Sequence, residues 1–338
     1  MTLAPLLAVP VACAASAGLI RLLKPWLRRY ALARPNARSS HVVPTPQGGG
    51  LAIVIAALAT VGLLSSRADM SAEAATLALA TLALAAVGAV DDVRPLPAAL
   101  RLAIQALAVA GVVAASGGRL APEIPLALER GIAVVAGLWF VNLVNFMDGL
   151  DWMTVAGMVP VTATLTVLGC AGGLAPLPTL AAAALLGALL GFAPFNRPVA
   201  RLFMGDVGAL PVGLVVAWLL YRLALAGGLA AAVILPLYPV ADATLTLLWR
   251  ARRGERVWQA HRSHFYQVAT TRGLTVPGIV GRVFALNLAL AALAVATLSW
   301  PSPAVSLACL ACAVALVAGV LHRFAGRDRR ATQAEQGS

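Results

Sequence analysis

An all-α polytopic membrane protein of about eleven transmembrane helices is the fold that this sequence predicts. Of its 338 residues, 61% are hydrophobic and only 11% charged, against about 25% charged in soluble domains. Its mean hydropathy is +0.89. The apolar residues fall in runs of about 17–22, the length a helix needs to cross a bilayer. The alternating strands of about ten residues that mark a transmembrane barrel are not visible.

Taken in order, the runs predict spans over 3–23, 49–65, 73–90, 98–115, 130–147, 152–169, 178–195, 207–225, 230–249, 277–298 and 303–321. The net charge is +12, and Lys24 is the only lysine among the cations. Basic residues crowd the loops after the first, third, seventh, ninth and eleventh spans. Arg21 to Arg38, Arg94 and Arg101, Arg197 and Arg201, Arg250 to Arg272, and Arg323 to Arg330 mark them. The positive-inside rule then places the N-terminus outside, in the periplasm, and the C-terminus in the cytoplasm. The basic balance fits cytoplasmic loops and an anionic substrate or headgroup. No basic patch interleaved with aromatics points to nucleic acid. The N-terminus has no basic region ahead of its apolar run, so it does not read as a cleaved signal. The outer loops, 116–125 and 170–178, are rich in Gly, Pro and Ala and read as plain connectors. Cys309 and Cys312 have a redox or metal spacing, but they lie within a span with no basic or His neighbour and read as inert.

Nearly every unusual polar motif falls in the cytoplasmic loops. The densest is Asn142-Leu-Val-Asn145-Phe-Met-Asp148-Gly149-Leu-Asp151. Asn142 and Asn145 share a helical face, and Asp148 continues it by a turn. Gly149 can take the backbone out of the helix, and Asp151 can cap the next one. Asp91-Asp92 ends the third span, where two adjacent carboxylates oppose the helix dipole and repel each other; a bound cation relieves both. Gly205-Asp206-Val-Gly208 sets a carboxylate at the start of the eighth span, between glycines that permit close approach. Asn145, Asp148 and Asp151 offer the hard oxygen donors that suit Mg²⁺ or Mn²⁺, since Mg²⁺ keeps waters and shares substrate phosphates, and Asp206 is the best single candidate for a metal carboxylate. Arg38, His41 and Gly48 to Gly50 form a loop suited to a phosphate at a helix N-terminus. Asp242 is an intramembrane carboxylate without an assigned role. In the last loop, Val257, Trp258, His261, Phe265 and Val268 recur at helical spacing, so part of it is expected on the membrane surface. His261, Arg262 and His264 suit an anion better than zinc, which takes three or four protein ligands.

Together these motifs resemble the polyprenyl-phosphate N-acetylhexosamine-1-phosphate transferases of glycosyltransferase family 4, the O-antigen-initiating enzymes among them. The likeness spans five loops in order, from Arg38 to Gln267. It implies a single membrane transferase domain over 1–325, with 326–338 a polar cytoplasmic tail expected to be disordered. It implies that Asp91, Asp92 and Asp148 are catalytic and that Asp206 and Asn145 hold the metal. Asn142, Asp151, His261, Arg262, His264, Arg38 and His41 would bind substrate. The implied partners are a UDP-N-acetylhexosamine, undecaprenyl phosphate, the bilayer and a second copy of the chain in a homodimer. The implied setting is a bacterial inner membrane, with the site facing the cytoplasm and the product serving cell-surface polysaccharide or lipopolysaccharide synthesis. Two departures stand out. Trp152 occupies a position where many members carry Gly, and the last loop reads His-Arg-Ser-His instead of three consecutive His. The second argues against a muramoyl-pentapeptide substrate and for a simpler UDP-N-acetylhexosamine. An ion-coupled secondary transporter is the alternative. Transporter sites cluster near the midplane, whereas these acids lie at helix ends. A scaffold without chemistry leaves the one-sided motifs unexplained.

Overall fold

Each predicted span is helical in the computed structural model, which describes residues 3–33, 44–65, 71–257 and 261–326. Nine helices among these are long and apolar enough to cross a membrane, and the chain is an all-α polytopic membrane protein. They are α1 (Ala4–Tyr30), α3 (Ala72–Val93), α4 (Ala98–Ala115), α5 (Leu126–Phe146), α6 (Met153–Cys170), α7 (Pro176–Phe192), α8 (Asp206–Leu225), α12 (Val276–Ser299) and α13 (Pro303–Ala325). Between them lie α2 (Gly50–Leu64), α9 (Leu229–Ile234), α10 (Leu237–Arg252) and α11 (Phe265–Thr271). Two short strands, β1 (Leu32–Ala33) and β2 (Thr45–Pro46), pair antiparallel.

Helices α7 and α8 are the centre of the bundle. Their most apolar stretches are 83% and 78% buried, against 22% for α1, α4 and α13. That difference follows from composition: α7 is almost entirely Ala, Leu and Gly, small enough to let α1, α2 and α6 pack close around it. The outer helices bury one stripe and turn Leu, Val and Ile outward, as a lipid-facing helix does.

Several expected boundaries move. The span expected over 230–249 is two helices, α9 and α10, broken at Leu235-Pro236. Pro236 has no N–H to continue the ladder, and its ring clashes with the carbonyl four residues back. The third span runs on to Val93, so Asp91 and Asp92 are helical residues in its last turn. The expected amphipathic helix around His261 reduces to α11, which begins only at Phe265; residues 261–264 are not helical. Arg38, His41, Trp258 and the tail from 327 lie outside the described residues.

The loop 116–125, expected as a plain connector, carries a network of hydrogen bonds. Buried Glu129 accepts from Arg119 Nε and the Leu120 N–H, while Arg119 also donates to the carbonyls of Ala121, Pro122 and Ile124. Nearby, Glu73 accepts from Trp218 Nε1 at 2.8 Å, and Arg222 donates to Ser116 O at 2.7 Å. These bonds tie the ends of α3, α5 and α8 on the face away from the acidic motifs. Two apolar grooves run along the bundle. One, of about 520 Å³, is walled by α4, α5, α8, α9 and α10, with Val109, Phe140, Leu143, Trp218 and Val240 on its sides. The other, of about 320 Å³, lies between α2, α3, α7 and α8.

Candidate active site

The acidic motifs meet where the last turn of α3 packs on the first turn of α8. Gly205 is the N-cap of α8 and has φ +76°, a left-handed value that only Gly adopts freely. A Cβ there would meet Asp92 Oδ2. Asp206 is the first helical residue and not the cap. The capping acceptor comes from α3: Asp92 Oδ1 accepts from the Asp206 N–H at 3.0 Å and Oδ2 from the Val207 N–H at 3.2 Å. Gln47 Nε2 in turn donates to the Asp92 carbonyl at 3.0 Å. A carboxylate on two orphan N–H groups at a helix N-terminus is favourable through both the hydrogen bonds and the dipole.

Asp91 points elsewhere. Its Oδ1 accepts from the Leu96 N–H at 2.6 Å, and its Oδ2 pairs with Arg101 on α4. Arg101 also stands 3.6 Å from Asp206 Oδ2, so one guanidinium bridges α3 and α8. Asn145, in the last turn of α5, and Asp91 both lie close enough to interact with the Asp206 carboxylate. Asp148 follows α5 and accepts from the Thr154 hydroxyl. Burial pushes the Asp148 carboxyl up to about 7, against the Thr154 bond, and the charges of Asp206, Asp92 and Asp151 add to the rise. Asp91, Asp92, Asn145, Asp148 and Asp206 thus form one cluster of oxygen donors at one end of the bundle.

The other expected site residues sit differently. Asn142 Nδ2 donates to Gln105 Oε1 on α4 and to the Leu138 carbonyl, each at 2.8 Å, which makes it a strut between helices. Asp151 is buried and accepts from the Ala200 N–H at 2.9 Å, tying the start of α6 to the loop before α8. The N-cap of α6 is Trp152, with φ +63° and no side-chain capping bond, so Asp151 is not that cap. His264 is buried, 3% exposed. Its ring stacks between Phe146 and Tyr266 at 5.9 and 6.0 Å, and the partly exposed His261 ring lies 4.8 Å away. Tyr266 donates to the Phe146 carbonyl at 2.8 Å, which fastens α11 to the end of α5. Burial holds the Tyr266 phenol well above its usual value, with the Asp242 charge adding to it, so it remains a donor. Gly149 makes this contact possible, since a Cβ would strike the Tyr266 hydroxyl.

Arg101, Gln105 and Thr154 do not stand out in the sequence as site residues. Each is an ordinary residue in its own helix and acquires its place only from a partner on another. Arg101 had one signal, a cation at the start of a span that follows two carboxylates.

The cluster is suited to a hard divalent cation that completes its shell with substrate. Among the described residues, no three His, Cys, Asp or Glu side chains gather closely enough to hold a metal by themselves. Mg²⁺ does not need such a cage; it binds one or two carboxylates and fills the remainder with waters and phosphate oxygens. Burial is the main reason the Asp148 carboxyl is raised, and the repulsion from Asp206, Asp92 and Asp151 that adds to it is the stress such an ion relieves.

Residues 74–224 match the family model described as glycosyl transferase family 4. The chain is similar to the decaprenyl-phosphate N-acetylglucosaminephosphotransferase of Mycobacterium leprae, 31% identical over 214 residues, 56% of this chain and 54% of that protein. It is also similar to a probable undecaprenyl-phosphate N-acetylglucosaminyl 1-phosphate transferase of Bacillus subtilis, 25% identical over 292 residues, 79% of this chain and 80% of that one. A phospho-N-acetylmuramoyl-pentapeptide-transferase of Leuconostoc citreum is 29% identical over 217 residues, 58% and 67% of the two chains. The match therefore spans about half the length of the mycobacterial relative. The matched segment runs from α3 to the end of α8 and contains Asp91, Asp92, Asn145, Asp148 and Asp206; over that segment the chain is similar to glycosyl transferase family 4.

Proposed function

We propose that this protein transfers an N-acetylhexosamine-1-phosphate from a UDP-sugar to a polyprenyl phosphate, undecaprenyl phosphate in the first instance. An oxygen of the lipid phosphate attacks the sugar-linked phosphorus. The bond from that phosphorus to the bridging oxygen breaks, UMP leaves, and a lipid diphosphate-sugar remains. The observation that carries this reading is the gathering of Asp91, Asp92, Asn145, Asp148 and Asp206 where the ends of α3 and α5 meet the start of α8, with the Arg101 guanidinium paired to Asp91 and 3.6 Å from Asp206.

Two anions must approach each other in this reaction. Asp206 and Asn145 would hold Mg²⁺, with Asp148 beside them. Bound there, the ion supplies charge neutralisation for the diphosphate and the departing UMP. Asp92 keeps the first turn of α8 formed and so fixes Asp206, and Arg101 offsets part of the local negative charge. His261 and Arg262 donate to the diphosphate. The attacking phosphate has a second pKa near 6, so it is largely ionised at neutral pH and needs no general base. The 520 Å³ groove reaches Leu143, two residues before Asn145, which supports it as the seat of the isoprenoid tail. Asp242, the intramembrane carboxylate that an ion-coupled carrier would use, is enclosed by bonds to α11, which favours the transferase reading over that alternative. An inner-membrane location with the site on the cytoplasmic side follows from the charge bias and from where UDP-sugars are made.

The test is purified protein with UDP-GlcNAc, undecaprenyl phosphate and MgCl₂, watched for UMP. Turnover is expected, EDTA is expected to stop it, and Asp206→Asn is expected to abolish it without loss of folded protein. Absence of UMP from wild-type protein refutes the transferase reading. A phosphorylated enzyme trapped from UDP-sugar alone refutes direct displacement.

A further inference from the structure

We propose that Asp242 is a positioning residue for the sugar-nucleotide loop, acting through α11 and His264 to hold His261 as a donor. The inference rests on the transferase reading and adds to it a residue that lies far from the acidic cluster in sequence. Asp242 is fully buried in α10. Its Oδ1 accepts from the Phe265 N–H at 3.0 Å, and its Oδ2 accepts from the Tyr266 N–H at 3.2 Å and the Tyr238 hydroxyl at 3.2 Å. The Thr246 hydroxyl lies 3.5 Å from Oδ1. His264 Nδ1, which has no hydrogen-bond partner of good geometry, stands 3.3 Å from Asp242 Oδ1.

A buried carboxylate is costly unless it is hydrogen-bonded. Starting a seven-residue helix does not by itself call for one, since a Ser or Asn at the preceding position would do that locally. Here the preceding position is His264, and the acceptor reaches across from another helix. The same carboxylate therefore fixes the backbone of α11 and the imidazole before it. That imidazole is the platform against which the His261 ring rests at 4.8 Å. His261 Nδ1 accepts from the Ser263 N–H at 3.3 Å. In a neutral imidazole the proton then sits on Nε2, which is the donor the diphosphate needs. Of the two histidines in His-Arg-Ser-His, His261 meets substrate and His264 supports it.

Asp242→Asn keeps the shape and one acceptor but removes the charge. The expected result is a KM for UDP-GlcNAc raised about tenfold, the size of one lost hydrogen bond to a charged group, with the KM for undecaprenyl phosphate within about twofold of wild type. In the double variant with His261→Ala, the Asp242→Asn change should add almost nothing, because the donor it positions is gone. An unaltered KM for UDP-GlcNAc, even with a lowered melting temperature, overturns the proposal. So does an Asp242→Asn effect that multiplies in full upon that of His261→Ala. If Asp242→Asn does not accumulate folded, His264→Gln carries the same expectation and the same refutation. Wild-type protein that releases no UMP fails at the first step and overturns the transferase reading, and this inference with it.

Discussion

Adjacent carboxylates are often treated as a pair, yet Asp91 and Asp92 have separate partners, and their amide variants should behave differently. Asp92→Asn leaves one acceptor for the Asp206 and Val207 N–H groups and turns an amide NH₂ toward the other. Losing one hydrogen bond to a charged acceptor costs about 1.5–3 kcal/mol, and losing the anion at the helix N-terminus adds about 0.3–1 kcal/mol. Neutralising Asp92 also relieves repulsion from Asp206 and Asp148, so the net destabilisation is smaller, about 1–3 kcal/mol. Asp91→Asn keeps an acceptor for Leu96 and loses a contact with an Arg101 side chain that is one-third exposed, for which about 1 kcal/mol is an upper bound. The decisive measurement is amide hydrogen exchange at Asp206 and Val207 in detergent or nanodiscs, alongside chemical unfolding. Asp92→Asn should speed exchange at these two amides by an order of magnitude or more, and Asp91→Asn should leave them protected. Equal protection in both variants would refute the capping role.

Two further outcomes follow from the site. Asp148 has a carboxyl raised from 3.8 to about 7, so folded protein holds a proton that the unfolded chain has released. In EDTA, stability should therefore fall as pH rises from about 4 to about 7 and stay low above that, by at most about 4 kcal/mol. Asp148→Asn should flatten that slope, and Mg²⁺ added at pH 8 should restore stability to wild type; thermal unfolding across pH checks both. Gly149→Ala puts a methyl against the Tyr266 hydroxyl and should break its bond to Phe146, raising the KM for UDP-sugar several-fold in the UMP assay. An unchanged KM there would mean that α11 does not depend on this contact.

What the sequence made legible was chemistry out of place. Asp91, Asp92, Asn145, Asp148 and Asp206 stand out because carboxylates and amides at the ends of apolar runs have no packing reason to be there. What stayed illegible was partnership. The bond from the Asp206 N–H to Asp92 joins residues 114 apart, and local capping rules look only at neighbours, so they nominate Asp206 itself. The Asn142–Gln105 pair spans 37 residues and makes a strut of an amide expected to bind substrate. The break in the ninth span had a visible cause in Pro236, but hydropathy over a twenty-residue window averages it away. For α11, the apolar spacing around His261 suggested a longer helix. The helix begins where Asp242 supplies an acceptor, and periodicity carries no information about that.

Trp152 is where sequence and backbone geometry meet most directly. Its backbone has φ +63°, a conformation that costs a non-glycine residue about 1–2 kcal/mol. The strain is offset in part by the indole Nε1, which donates to the Ala193 carbonyl at 2.6 Å, a neutral bond contributing about 0.5–1.5 kcal/mol. The backbone N–H bond to Asn196 Oδ1, at 2.8 Å, survives any substitution but proline. Trp152→Gly therefore loses the indole bond and sheds the strain, and should unfold within about 1 kcal/mol of wild type. Trp152→Ala loses the same bond and keeps a Cβ at positive φ, so it should be the less stable variant by about 1 kcal/mol. That order reverses the usual advantage of Ala over Gly, which comes from the greater freedom of Gly in the unfolded chain. Chemical unfolding of the two variants side by side decides it. If Ala proves equal to or more stable than Gly, the left-handed backbone at Trp152 is not what sets the preference at this position.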